Sequence, residues 1–359
     1  MKICFLAGGD SIHSYKWIRY FSDRGHEIHW VSLVPFTQKK IQNAKLYLIK
    51  GNLILNIFRV RALIKKIKPD ILHAHYAGLN GLLGALSGLH PLVLTAWGSD
   101  VLLAARSKIK GPFVKYALKK ADLITCDAEH MKEVMIKLGV NNSKIKIINF
   151  GIDTKEFYPN SKDEIVIKNL GVSDYKIIIS LRSLEPVYDL ETLLRAMPSV
   201  LKEVPKTYLI IAGEGSQEKE LRKLAGDLII TKNIRFIGWI PNEELPKYLR
   251  AADVYVSTSL SDGGIAASTA EAMACGLPVI ITDVADNKKW VRDGENGFVI
   301  PIKNPKILAE RIIYFFKNKN IGKKFGEVNR KIIEEKNSYY KEMEKVEETY
   351  TRLLEASTF

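Results

Sequence analysis

The residues best suited to chemistry lie in Ser259–Val279, which reads Ser-Leu-Ser-Asp-Gly-Gly-Ile-Ala-Ala-Ser-Thr-Ala-Glu-Ala-Met-Ala-Cys-Gly-Leu-Pro-Val. A strand-like run, Asp253-Val-Tyr-Val-Ser-Thr, precedes it; good helix formers from Ala270 to Ala274 follow and Gly276 stops them. A glycine-bearing loop between a strand and a helix turns free backbone N–H groups and the positive end of the helix dipole toward one point, where an anion can bind. Glu271 is expected in the first turn of that helix. Its carboxylate can accept hydrogen bonds from hydroxyls while neighbouring amides face phosphate. That chemistry suits a ligand carrying both phosphate and sugar.

The C-terminal ends of other strand-like runs supply further candidates, because open αβ sheets place their ligands there. Arg182 closes the run Lys176–Leu181, and a guanidinium matches the geometry of phosphate. Gly213-Glu214-Gly215 follows the next run, and Phe236-Ile-Gly-Trp-Ile-Pro contains Trp239, expected to pack rather than to stack on a ligand. Ala7-Gly8-Gly9-Asp10-Ser11 follows the first run. It lacks the third glycine of a dinucleotide fingerprint, and the second run ends Trp30-Val31-Ser32-Leu33 without an acid for a ribose, so dinucleotide binding is excluded. His73 and His75 end one strand, and Thr95-Ala-Trp-Gly-Ser-Asp100 ends the next. His75 reads equally as a site residue and as a satisfied structural one; Asp100 either faces the site or caps Val101–Ala105. His13 and Asp127–Glu129 also lie at strand exits. No His, Asp or Glu cluster has metal-ligand spacing.

These motifs closely resemble those of glycosyltransferase family 4, a group of retaining GT-B enzymes. There, two acids eight apart flank a Gly-rich turn that runs into Ala-Met-Ala-x-Gly-x-Pro-Val. The second acid matches at Glu271; eight residues upstream lies Gly263, and the nearest acid, Asp262, is nine away. The resemblance implies ribose binding for Glu271, sugar binding for Asp262 and donor contacts from Gly263, Gly264, Ile265 and Ala266. Arg182 would clamp the donor diphosphate, while the family's lysine a few residues on is replaced by Val187 or Tyr188. Gly213 and Gly215 resemble a glycine turn near the nucleotide. Gly8 and Gly9 resemble a loop near the donor phosphates or the acceptor, although a plain tight turn explains them as well. The family often has histidine where Trp97 stands; its absence leaves His75 and Asp100 as the polar groups expected to face the cleft, with His13, Asp100 and Trp97 on the acceptor side.

The fold so implied is α/β, GT-B, with two Rossmann-like domains facing each other across a cleft. Residues 1–152 would form the basic acceptor-side domain, 153–337 the nucleotide-sugar domain, and 338–359 a helix crossing back. The implied activity moves a sugar from a nucleotide-sugar to an acceptor with retention, through Arg182, Asp262, Glu271 and His75, and needs no metal or other cofactor. The other reading is a non-catalytic GT-B scaffold that binds nucleotide-sugars or serves as an assembly subunit.

The elements that must position these residues are legible as two series of strands alternating with helices. The first comprises Lys2–Leu6, Glu27–Leu33, Ile71–His75, Leu92–Thr95, Leu123–Cys126 and Lys146–Asn149. The second comprises Tyr175–Ser180, Thr207–Ala212, Ile234–Ile237, Val254–Ser257, Pro278–Thr282 and Gly297–Pro301. From Lys303 onward the chain reads as charged helix. At 359 residues and 47% hydrophobic, it suits two globular domains. Cys4, Cys126 and Cys275 read as buried thiols of a reducing compartment. Gly78–Trp97 is apolar but broken by polar residues and proline, and is expected as a buried helix and a buried strand rather than a membrane span.

The net charge of +14 belongs wholly to residues 1–150, with 23 Lys and Arg against 9 Asp and Glu; residues 151–359 hold 31 of each. It concentrates in residues 39–68 and 106–120, where basic and large apolar residues interleave. That pattern suits a helix lying on an anionic membrane surface, against the plainer reading of solvated lysine-rich faces. No nucleic-acid motif accompanies it. The expected setting is cytoplasmic, peripheral on the inner membrane face, with a lipid-linked or glycan-precursor acceptor.

Overall fold

The computed structural model of the chain describes residues 1–262 and 264–356. It divides into two compact units, Met1–Phe150 with Tyr340–Phe359, and Gly151–Tyr339.

In the first unit, β1 (Lys2–Leu6), β2 (Glu27–Ser32), β3 (Ala44–Leu48), β4 (Ile71–His75), β5 (Leu92–Thr95), β6 (Leu123–Cys126) and β7 (Ile145–Ile147) form one sheet in the order β3-β2-β1-β4-β5-β6-β7. All its pairings are parallel. Helices cover both faces, which is why the central strands are almost continuously apolar. The strand β3 was not expected. It is the sheet edge, buries none of its side chains fully, and carries Lys45, whose Nζ donates to Glu27 at 2.9 Å. A short edge strand bearing a lysine resists pairing with other chains, and it lacks the apolar signature of a buried strand. The basic stretch 39–68 is therefore not one amphipathic helix: it divides between β3 and the helix Leu53–Ile67. Gly78–Trp97 forms the helix Leu79–Ser87 and β5, as expected.

The last helix, Tyr339–Ala356, joins this unit through Met343, Val346 and Tyr350, spaced to make one helical face. Tyr350 stacks on Phe21, with ring centroids 5.1 Å apart, and bonds His73. Glu347 pairs with Arg24 at 2.7 Å and His26 at 2.8 Å.

In the second unit, β8 (Lys176–Ser180), β9 (Thr207–Ala212), β10 (Ile234–Gly238), β11 (Val254–Ser257), β12 (Val279–Thr282) and β13 (Gly297–Ile300) form a parallel sheet in the order β10-β9-β8-β11-β12-β13. The two-residue period of a strand distributes its side chains between two cores. Ile178, Leu209, Ile211, Val254, Val256 and Ile280 enter one. Ile177, Ile179, Tyr208, Ile210, Tyr255 and Ile281 enter the other. In each sheet the winding reverses once, between β1 and β4 and between β8 and β11. The connections beyond those strand ends run in opposite directions and open a crevice. Cys4, Cys126 and Cys275 are buried free thiols, and burial pushes each up to about 12, so they are unreactive. Among the described residues, no helix is long and apolar enough to cross a membrane.

Candidate active site

At the crevice of the second unit, two residues predicted from segments 80 apart meet. Arg182, just past β8, donates from Nη2 to Oδ1 of Asp262, just past β11, at 2.5 Å. Their side chains are only 9% and 6% exposed. The Tyr188 ring, at one of the two positions where the sequence pattern lacks a lysine, lies over the guanidinium, 4.2 Å from Cζ. Burial lifts the Asp262 carboxyl above its usual range against the pull of Arg182, Asn287 and Ser259. Arg182 Nε and Ser180 Oγ are both buried without a partner.

Gly213 and Gly215 serve this arrangement through backbone packing. Gly213 adopts φ +153°, and a Cβ there would fall 2.5 Å from the Arg182 carbonyl; one on Gly215 would collide with Leu184. Leu184 N–H donates to the Glu214 carbonyl at 2.9 Å. Only glycines let the β9 exit lie against the β8 exit, and so fix where Arg182 begins.

The predicted helix is Ala267–Ala274, ended at Cys275 with Gly276 at φ +74°. Its N-cap is Ala266, and no side chain caps its first amides, which leaves them for an anion. Gly264 is buried here, with Ile265 and Ala266 half-buried; Gly263 lies outside the described residues. Tyr255 OH and Ser268 Oγ, 2.8 Å apart, tie the helix start to β11. Glu271 is not in the first turn. It is the fifth helical residue and 7% exposed, because the loop extends to Ala266 before the helix begins. Trp239, expected to pack, is instead 69% exposed beyond β10. A cavity of about 460 Å³ elsewhere in this unit opens at the opposite strand ends, beside Lys176, Asp253 and Pro278, and contains none of the predicted site residues.

In the first unit, Gly8, Ser11, Ser14, His75, Asn80 and Trp97 line a cavity of about 290 Å³ at the β1/β4 crevice. Ser11 Oγ accepts from Ser14 N–H and caps the helix Ile12–Asp23. Gly9 N–H donates to Ser32 Oγ at 2.8 Å, and a Cβ on Gly9 would meet Phe36 at 2.8 Å, so this glycine turn is packed tightly. His75, 2% exposed, holds Ser14 Oγ with Nδ1 at 3.0 Å; its buried Nε2 has no partner. Burial, with the charge of His13, pushes His75 down to about 3, so it is a neutral imidazole. His13 is the second residue of its helix rather than a strand-exit residue. Its ring lies 5.2 Å from Trp97 and 4.9 Å from Phe150. Trp97 is also 5.5 Å from His75.

Asp100 takes a different place from the one expected. It is fully buried inside the helix Ser99–Leu102 and accepts from the amides of Ala77 at 2.7 Å and of Trp97 and Val101 at 3.0 Å. Its carboxylate shapes the loops after β4 and β5 and does not line the cavity. Sequence reasoning missed Ser14 and Asn80, and named Tyr188 only as one of two positions that lack the family's lysine. Ser14 carries a local signal, three residues after a capping serine; Tyr188 lies in the same β8 exit as its partner Arg182, but no residue pattern there announces the ring contact. Among the described residues, no three His, Cys, Asp or Glu side chains are grouped to hold a metal ion.

Two family models match this chain: glycosyl transferases group 1 over residues 161–332, and glycosyl transferase 4-like over residues 2–128. Two uncharacterized glycosyltransferases of Methanocaldococcus jannaschii are each 27% identical. One aligns over 67% of this chain but only 61% of its own length, the other over 96% and 95%. The UDP-Gal:alpha-D-GlcNAc-diphosphoundecaprenol alpha-1,3-galactosyltransferase of Escherichia coli is 28% identical over 67% of this chain and 65% of its own. Among solved structures, Anabaena Alr3699/HepE in complex with UDP superposes with a TM-score of 0.85 at 18% identity, covering 98% of this chain and all of the other. Each unit folds around one parallel sheet, and the chain belongs to the group 1 glycosyltransferases of family 4 type, in the GT-B fold.

Proposed function

We propose that this protein transfers a glycosyl group from a nucleotide-sugar held by Gly151–Tyr339 to a lipid-linked or polysaccharide-precursor glycan held by the first unit, with retention and without a metal. The observation that carries this reading is the second unit's crevice, where Arg182 pairs with Asp262 on the loop that leads into the uncapped helix Ala267–Ala274. Diphosphate charge can be spread over that guanidinium and those N–H groups as the glycosidic bond breaks, which is the role a metal would otherwise fill. Glu271 takes the donor ribose, while Gly264, Ile265 and Ala266 line its path. The UDP complex of the Anabaena structure supports a nucleotide-linked donor. The first unit's cavity, with a neutral His75 and the Trp97 ring, suits an acceptor sugar, which offers both hydroxyls and an apolar face.

Two observations support an acceptor at the inner membrane face. The Escherichia coli relative acts on a diphosphoundecaprenol-linked sugar by its name. In this chain, the helices Leu53–Ile67 and Gly111–Lys120 flank Leu79–Ser87 around a shared core. Ile54 and Phe58 of the first helix and Phe113 of the second stand exposed among their basic residues, and Leu103 and Ile109 are exposed just before the second.

A thermal-shift panel of nucleotides and nucleotide-sugars tests the donor half. The right ligand at about a hundred times its dissociation constant should add about 2.7 kcal/mol of stability. Incubation with that donor and a polyprenyl-diphosphate-linked sugar should then yield an extended glycolipid. A chain that no nucleotide stabilises, or that binds donor without ever transferring it, would refute the assignment.

A further inference from the structure

We infer that Asp262 is a resident counter-ion that occupies Arg182 until donor phosphates displace it, and so sets how weakly the spent nucleoside diphosphate is held. This rests on the proposed reading that Arg182 faces the donor diphosphate. As it stands, Arg182 is 8% exposed, enclosed by the Asp262 carboxylate and the Tyr188 ring, and offers almost no surface to a ligand. Its bond to Asp262 is single, from Nη2, while the adjacent Nε is buried without a partner.

Buried polar groups are rarely left unpaired, and a guanidinium binds oxyanions best with two parallel N–H donors. A phosphate can take Nε and Nη2 together; Asp262 takes one. The acid also sits on the same loop as the amides that open the helix Ala267–Ala274, so phosphate arriving there brings like charge against it. Ser259 and Asn287 also favour the charged form of Asp262, and they remain beside the carboxylate when Arg182 leaves it. Separation of a buried ion pair is costly, and that cost is subtracted from the affinity for any diphosphate. A released nucleoside diphosphate therefore competes with the returning acid, which favours product departure.

The test measures binding of UDP, GDP and their nucleosides to the full chain by calorimetry. In Asp262→Asn, which keeps the shape and removes the charge, the diphosphate that the wild type prefers should bind at least tenfold tighter, or about 1.4 kcal/mol. The nucleoside should bind unchanged. Asp262→Ala should shift affinity in the same direction and guards against a folding defect in the first variant, which circular dichroism would reveal. Arg182→Ala should weaken the diphosphate and abolish the gain in the double variant. Unchanged or weaker diphosphate binding in both folded Asp262 variants, with Arg182→Ala still impaired, overturns the counter-ion and leaves the phosphate site standing. A wild type that binds neither diphosphate, or an Arg182→Ala that binds as well as wild type, overturns the phosphate site and the counter-ion with it.

Discussion

In the proposed function Arg182 and Glu271 bear most directly on the chemistry, and each makes a separable demand. Glu271 is buried within its helix, so Glu271→Gln, which preserves volume, is the informative change. Loss of a charged acceptor for a ribose hydroxyl should weaken nucleotide-sugar binding by roughly 1.5–3 kcal/mol, with the unfolding temperature as control. Full affinity and turnover in that variant would remove Glu271 from the donor site. Arg182→Ala should reduce turnover more than it reduces affinity for the bare nucleoside, because developing phosphate charge is what the guanidinium stabilises. If the kinetics do not change, the diphosphate rests on the Gly264–Ser268 amides alone.

At the scale of elements, β4 carries two buried histidines on one face, and both depend on staying neutral. His73 sits between Tyr350 of the last helix and Thr95 of β5, and burial holds it well below the ordinary histidine range. His75 is held near 3 and His13 near 4, in each case chiefly by burial. In the unfolded chain these groups titrate near 6.5, so between about pH 6.5 and 4 the unfolded state binds more protons than the native one. Stability is therefore complete above pH 6.5 and is lost as pH falls. Each such histidine costs about 1.4 kcal/mol for every unit below 6.5. Urea denaturation at pH 7 and pH 5.5 should show a smaller acid loss in His75→Gln than in wild type; equal losses would mean that His75 is not kept neutral.

Over the whole molecule, charge is divided as the fold is. The first unit, with its returning helix, holds 26 Lys and Arg against 14 Asp and Glu, a net +12; the second holds 28 against 26, a net +2. Each basic side chain near an anionic surface contributes about 1 kcal/mol, and salt weakens the sum. The full chain should sediment with phosphatidylglycerol-containing vesicles at low salt. Replacement of Lys39, Lys40, Lys65 and Lys66 by glutamine should release it while nucleotide binding persists. Wild type that remains in the supernatant would assign the charge to a soluble anionic acceptor. Because arginine and backbone amides suffice for the phosphates in the proposed site, transfer should survive saturating chelator; activity that returns only with added divalent cation would refute that part of the reading.

The amino-acid sequence by itself determined what depends on local period and local punctuation. Both strand series, the glycine stop at Gly276 and the separate return helix were legible, because apolar period and helix-ending residues act within a few positions. The strand β3 was not, since an edge strand that buries little keeps no apolar signature. The position of Glu271 in its helix depended on a start at Ala266 that no capping side chain announces. Tertiary structure alone decided the rest. Asp100 is enclosed because amides from two loops converge on it, and His75 is neutral because helix and sheet bury it. Arg182 and Asp262 pair across 80 residues because β8 and β11 are neighbours at the switch point, an adjacency fixed by strand order. Burial and partnership at a crevice are sums over the whole sheet, and no local window of sequence contains them.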